Sequence, residues 1–179
     1  MISQRLRILL DPLSYCDRGR IPYVGPHTAA AVRAALNRRL MRDFQLLPAP
    51  ATPQGGLERE VLDNWTFLRR SAYLIGAYRR RNAVLQQIGF QHCDPGLQRF
   101  LQLKLPAIEQ QGAACSVDEG SLLRQGCEIL EPWLRPLHAA WRRRLELLFP
   151  ESSSTWFIPG DALPDRSLIY LAIHYAKTT

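Results

Sequence analysis

Two arginine triplets, Arg79-Arg80-Arg81 and Arg142-Arg143-Arg144, are the densest groups of ligand-binding side chains in the chain. A guanidinium presents a planar fork of donors that suits carboxylates and phosphates. On a helix, consecutive residues point about 100° apart. Each triplet therefore fans out, and at most two of its members can grip one surface. A nucleic-acid helix usually spreads its cations at three and four with polar base-readers among them. Here the neighbours are Ala, Val, Leu and Trp, which suit packing. Between Trp65 and Lys104 the chain carries Arg69, Arg70, Arg79, Arg80, Arg81, Arg99 and Lys104 against one acid, Asp94. Such a field draws acidic protein surfaces, nucleic acid or anionic lipid; its plain alternative is a solvated helix face. Arg69, Arg70, Arg79, Arg80, Arg81 and Arg99 are the candidate partner-binding residues.

Catalytic and metal chemistry find less support. The sequence holds no glycine-rich phosphate loop, no Gly-x-Ser-x-Gly elbow and no His-Glu-x-x-His. His27, His92, His138 and His174 stand singly, the last two inside expected helices. Asp118-Glu119 and Glu128/Glu131 fall near expected helix ends, where carboxylates complement the dipole or cap amides. Cys16, Cys93, Cys115 and Cys127 are scattered without a Cys-x-x-Cys pair, as befits small apolar core residues in a reducing compartment. His92-Cys93 is a poor metal pair, because adjacent side chains rarely converge on one ion. The expectation is a protein that is not an enzyme and has neither metal nor cofactor.

These residues must be carried by helices. At 179 residues and 46% hydrophobic content the chain suits one compact domain. Its net charge of +7 comes from 23 basic against 16 acidic residues. No apolar run approaches the length of a membrane span, and the opening MISQRLRILL lacks a cleavage site, so a mature cytosolic chain is expected. Residues 5–10 read as an extended segment or helical turn closed by Asp11-Pro12. A helix follows from Thr28 to about Phe44, burying Val32, Leu36, Leu40 and Phe44. PAPATPQGG at 48–56 is a flexible loop. From Leu57 to Tyr78 the residues Leu57, Val61, Trp65, Leu68, Ala72 and Ile75 recur at three and four. Gly76 marks either a close helix contact or a break before an Arg79–Ile88 helix, which stops at Gly89. Asp94-Pro95 supplies an N-cap and first-turn proline. Ser116 and Glu119 form a capping box for a helix to about Leu130. Glu131-Pro132 starts another, with Trp133, Leu137, Trp141, Leu145 and Leu148 on one face. A last helix spans about Leu163–Lys177. The fold class is all-α, a bundle of roughly six to eight helices with little or no sheet. Trp65, Leu68, Ala72, Trp133, Leu137 and Trp141 form its core.

Four short stretches add what periodicity does not. Asp11-Pro12-Leu13-Ser14-Tyr15 resembles the opening motif of the OrgA/MxiK family, also called SctK, of type III secretion accessory proteins. Ala72-Tyr73-Leu74-Ile75-Gly76 is similar to that family's central segment. Leu147-Leu148-Phe149-Pro150 and Leu171-Ala172-Ile173-His174-Tyr175-Ala176 resemble its C-terminal landmarks, in the same order. Residues 48–56 and 106–120 have no clear counterpart. The resemblance implies a single domain over 1–179 and a cytoplasmic adaptor of the sorting platform. Such an adaptor links an SctD-like inner-membrane ring protein, through its cytoplasmic domain, to an SctQ-like pod protein. An SctL-like ATPase regulator is an indirect partner, and nucleic acid is not expected. The motif residues are mostly apolar, so Leu13, Tyr15, Tyr73, Leu74, Tyr170 and Tyr175 are read as core more than contact. The alternatives are a small basic helical nucleic-acid-binding regulator and, less well matched, a secretion chaperone.

Overall fold

The computed structural model describes residues 4–21, 29–46, 48, 53, 55–105, 117–150, 156 and 165–178. Every regular element among them is helical: nine α-helices and four short 3-10 turns, with no strand. In chain order the helices are α1 (Gln4–Leu10), α2 (Ala30–Asp43), α3 (Gly56–Asp63), α4 (Leu68–Arg79), α5 (Arg81–Gln87), α6 (Pro95–Leu101), α7 (Glu119–Leu134), α8 (Ala139–Glu146) and α9 (Arg166–Lys177). The backbone gathers into two compact units. One comprises Met1–Thr66 and Arg135–Ser154, the other Phe67–Leu134 and Thr155–Thr179.

In the second unit α4 is the central helix, packed on α7 and α9. Leu68, Ala72, Leu74, Ile75 and Ala77 are all fully buried along it. Two glycines set the approach of α4 to α7. A Cβ on Gly76 would lie 1.8 Å from the Leu122 carbonyl oxygen, and one on Gly126 would lie 1.8 Å from the Ala72 carbonyl oxygen. No side chain larger than hydrogen fits at either position. Gly76 is thus a close contact and not a break. Around it, Phe100 packs edge-to-face on both Tyr78 and Tyr175, with centroids 5.7 and 5.5 Å apart.

Side-chain caps start the last four helices. The Asp94 side chain accepts from the Leu97 amide at 3.0 Å to start α6, with Pro95 in the first turn. Asp118 accepts from the Ser121 amide at 2.8 Å to start α7, and Asp165 accepts from Leu168 at 3.0 Å to start α9. Ser116, the expected capping-box partner, lies outside the described residues, as do residues 49–52 and 54 of the expected loop and Leu163.

The expected long helices are shorter. The Leu57–Tyr78 helix is two, α3 and α4, separated at Asn64 and the 3-10 turn Trp65–Phe67. Pro132 does not open a helix but lies in the last turn of α7. There it forfeits the main-chain hydrogen bond that its amide would have made to the Glu128 carbonyl. The next helix begins at His138, whose Nδ1 accepts from the Ala140 amide at 3.2 Å. His138 is therefore an N-cap, not an interior residue. In α2, Leu40 is buried as expected, whereas Val32 is 50% exposed and Asn37 is buried. The expected core holds: Trp65, Leu68, Ala72, Trp133, Leu137 and Trp141 are all buried.

Candidate interaction surfaces

The first unit is organised by the segment Asp11–Tyr15. The chain leaves α1 through a hydrogen bond from the Asp11 amide to the Arg7 carbonyl. The Asp11 carboxylate then receives Arg33 at 2.6 Å and the Asn37 side-chain amide at 2.8 Å, both from α2. Asn37 Oδ1 in turn accepts the Leu13 amide at 2.9 Å. Ser14 Oγ donates to the Asp11 carbonyl at 2.7 Å, and the Tyr15 hydroxyl donates to the Ile8 carbonyl at 3.0 Å. Tyr15 also packs edge-to-face on Trp65 at 5.5 Å. Burial pushes its hydroxyl far above the usual tyrosine value, with Arg144 opposing. The polar side chains of the motif, Asp11, Ser14 and Tyr15, are all committed to holding α1, α2 and the turn between them. The segment after it is anchored to the unit's other stretch of chain. Leu147 O accepts the Asp17 amide at 2.7 Å, and Arg20 donates to the Phe149 and Pro150 carbonyls at 2.6 and 2.8 Å.

The other motifs behave alike. In Ala72–Gly76, Ala72, Leu74, Ile75 and Gly76 are buried against neighbouring helices, and only Tyr73 reaches the surface region, under the Arg70 guanidinium at 5.1 Å. Leu147, Leu148 and Phe149 are core residues, and so are Ala172, Ile173 and Ala176. Leu13, Tyr15 and Tyr175 are half-buried, while Tyr170 is 43% exposed.

The basic segment is less free than its composition implied. Arg69 pairs with Glu119 at 3.0 Å. Arg70 pairs with Asp94, the residue that caps α6. Burial alone would raise the Asp94 carboxyl, but hydrogen bonds from Arg70 and the amides of Leu97 and Gly96 outweigh it and hold the carboxyl below the usual range. Arg79 pairs with Glu128 at 3.2 Å with only 12% of its side chain exposed. It is neither a solvated cation nor a free one, because it lies along α7 against Glu128. Arg80 and Arg81 are half-buried and Arg99 is exposed. Among the described residues neither Arg81 nor Arg99 has an acidic partner. Arg69, Arg70, Tyr73, Glu119 and Leu123 line an open hollow of about 370 Å³. Sequence reading missed the acids on α7 that neutralise this segment, since Glu119 and Glu128 are some fifty residues away from Arg69 and Arg79.

Cys16, Cys93 and Cys127 are buried free thiols, and Cys115 lies outside the described residues. Burial pushes the Cys16 thiol up to about 11 against the opposing effect of Arg20. No group of three or more potential metal ligands occurs among the described residues. His92 and His174 are exposed, each on its own short stretch of surface.

The fold and these surfaces define an all-α protein whose most distinctive motifs are spent on positioning its helices. The sequence matches the bacterial type III secretion apparatus protein family (OrgA_MxiK) over residues 5–178. With nearly the whole chain covered, it belongs to that family. No curated protein and no solved structure matches it.

Proposed function

We propose that the chain is a non-enzymatic adaptor of a type III secretion sorting platform. It would join the cytoplasmic domain of an SctD-like inner-membrane ring protein to an SctQ-like pod protein, and so support effector secretion. The observation that carries this reading is the family match over residues 5–178. The internal use of Asp11–Tyr15 and Ala72–Gly76 adds support, since an adaptor needs a stiff body more than a reactive centre. No helix among the described residues is long and apolar enough to cross a membrane. In this reading the protein reaches the cytoplasmic face of the inner membrane through its partners, acts as one domain over 1–179, and touches an SctL-like ATPase regulator only indirectly. Within the basic segment, Arg81 and Arg99 are the residues best placed to meet an acidic partner. The alternative of a nucleic-acid-binding regulator draws on the same cations, and the pairing of Arg33, Arg69, Arg70 and Arg79 with the chain's own acids weighs against it.

The test is co-purification of the tagged full chain with the SctD-like cytoplasmic domain and the SctQ-like protein of the same system, alongside secretion by a deletion strain. Simultaneous capture of both and loss of secretion is expected. Capture of neither overturns the reading, as does tight binding to random duplex DNA at physiological salt.

A further inference from the structure

An exposed basic stripe without acidic partners among the described residues lies on α9. Its sequence, Arg-Ser-Leu-Ile-Tyr-Leu-Ala-Ile-His-Tyr-Ala-Lys, contains no acid. Leu168, Ile169, Ala172, Ile173 and Ala176 face inward. The opposite side carries Arg166, Tyr170, His174 and Lys177, all exposed. Their spacing of four, four and three places them within about 80° of one another on the helix and along roughly 16 Å of its length. Asp165, the acid next in sequence, is turned to cap the Leu168 amide. Arg166, His174 and Lys177 have no acidic partner among the described residues, whereas Arg69, Arg70 and Arg79 of the same unit do. Lys177 lies over the Phe67 ring at 6.0 Å. At the centre Tyr170 stands 43% exposed, steadied edge-to-face by the buried Trp133 at 6.4 Å.

We propose that this face of α9 is a docking surface for an acidic segment of a partner protein. A stripe one helix wide and about three turns long matches a single helix or short strand of a partner better than a whole domain. Carboxylates spaced a turn apart on that segment would meet Arg166, His174 and Lys177, and an apolar side chain would lie on Tyr170. A fixed aromatic with two χ angles costs little ordering entropy on binding and is a favoured anchor at interface centres. Two permanent cations and one histidine are too few to hold a duplex, which takes several phosphate contacts, or an anionic bilayer, which takes a larger basic cluster. The proposal rests on the adaptor reading above and adds the surface that one of its partners uses.

The experiment measures the affinity of the full chain for the SctD-like cytoplasmic domain and for the SctQ-like protein, before and after Arg166→Glu with Lys177→Glu. A second variant, Arg166→Glu with His174→Glu, leaves the Lys177–Phe67 contact in place and guards against misfolding in the first. Both should melt like the wild type. The expected result is at least a tenfold loss for one partner, growing at low salt, with the other unchanged. Unchanged affinity for both partners in a folded variant overturns the α9 proposal and leaves the adaptor reading standing. Equal loss of both overturns the assignment of the face to one partner. A wild-type chain that binds neither protein overturns the adaptor reading and this proposal with it. Binding to phosphatidylserine vesicles or duplex DNA at physiological salt that the variants abolish assigns the face to a polyanion and overturns a protein occupant.

Discussion

Replacing Gly76 by alanine adds one methyl group at the crossing of α4 and α7. That methyl would sit 1.8 Å from the Leu122 carbonyl oxygen and 2.7 Å from its carbon, while ordinary contact begins near 3.4 Å. The obstacle is backbone and not the end of a flexible side chain. The helices must therefore part by roughly 1.6 Å, loosening the layer of Leu74, Ile75, Leu122 and Leu123, each at most 1% exposed. Overpacking of this kind costs about 1–3 kcal/mol, and a backbone clash belongs at the upper end. Alanine recovers up to about 1 kcal/mol in helix propensity. The net loss is about 2 kcal/mol, or a fall of about 4–8 °C in Tm for a chain of this size. Thermal unfolding followed by circular dichroism at 222 nm reads it directly. Gly126→Ala should behave similarly through the Ala72 carbonyl. The double variant should lose less than the two singles together, since helices already parted accept the second methyl more cheaply. Gly56→Ala is the control: its Cβ would meet nothing within 4 Å, so it should stay within about 0.5 kcal/mol of wild type. A Gly76→Ala protein melting at or above the wild-type temperature would refute the argument.

Trp141 is 1% exposed, so Trp141→Ala should cost about 3–5 kcal/mol, seen as a lower urea midpoint. Asp94 has a folded value below its ordinary 3.8, so its contribution is fully present above about pH 4 and is lost as pH falls through the depressed value. The stability gap between wild type and Asp94→Asn should therefore be constant from neutral pH down to about pH 4 and close in stronger acid, which melts across a pH series would show. Arg79→Glu sets like charges against Glu128 in a largely covered position and should cost about 1–3 kcal/mol, with Glu128→Arg in the same chain restoring much of it; Arg81→Glu should be close to neutral. Asp11→Ala removes the acceptor shared by Arg33 and Asn37 and should cost about 1–3 kcal/mol, measured by the same melts.

The helical class and the core could be read from the sequence because the apolar spacing that buries Trp65, Leu68 and Ala72 is local and survives any arrangement of neighbours. The same spacing hid the joint at Asn64. Val61, Trp65 and Leu68 are each buried, so the apolar spacing runs on in the sequence where the helix does not. Pro132 misled because proline usually opens a helix, where its missing amide costs no bond, whereas here it lies in the last turn of α7 and gives one up. Val32 was misplaced because the buried side of α2 includes a polar residue, Asn37, that an apolar count passes over. Asn37 is buried as the bridge between Asp11 and the Leu13 amide, a role set by residues twenty-four and twenty-six positions away. The pairing within the basic segment was the least legible. A run of arginines reports charge along the chain, whereas neutralisation is decided across helices. The acid-free face of α9 needed both the spacing of its residues and the knowledge that the neighbouring arginines are already paired.

The order in which the chain visits its two units bears on how binding regions can be mapped. Met1–Thr66 and Arg135–Ser154 build one unit, and Phe67–Leu134 and Thr155–Thr179 build the other. Neither corresponds to a contiguous stretch of gene. Asp17 and Arg20 find their acceptors at Leu147, Phe149 and Pro150, so on the ribosome the early residues wait for most of the protein to be synthesised. Any single truncation removes part of at least one unit and leaves the remainder with exposed apolar surface. Fragment libraries and nested deletions will score the loss of fold as a loss of binding. Point substitutions at exposed positions are the instrument that suits this topology.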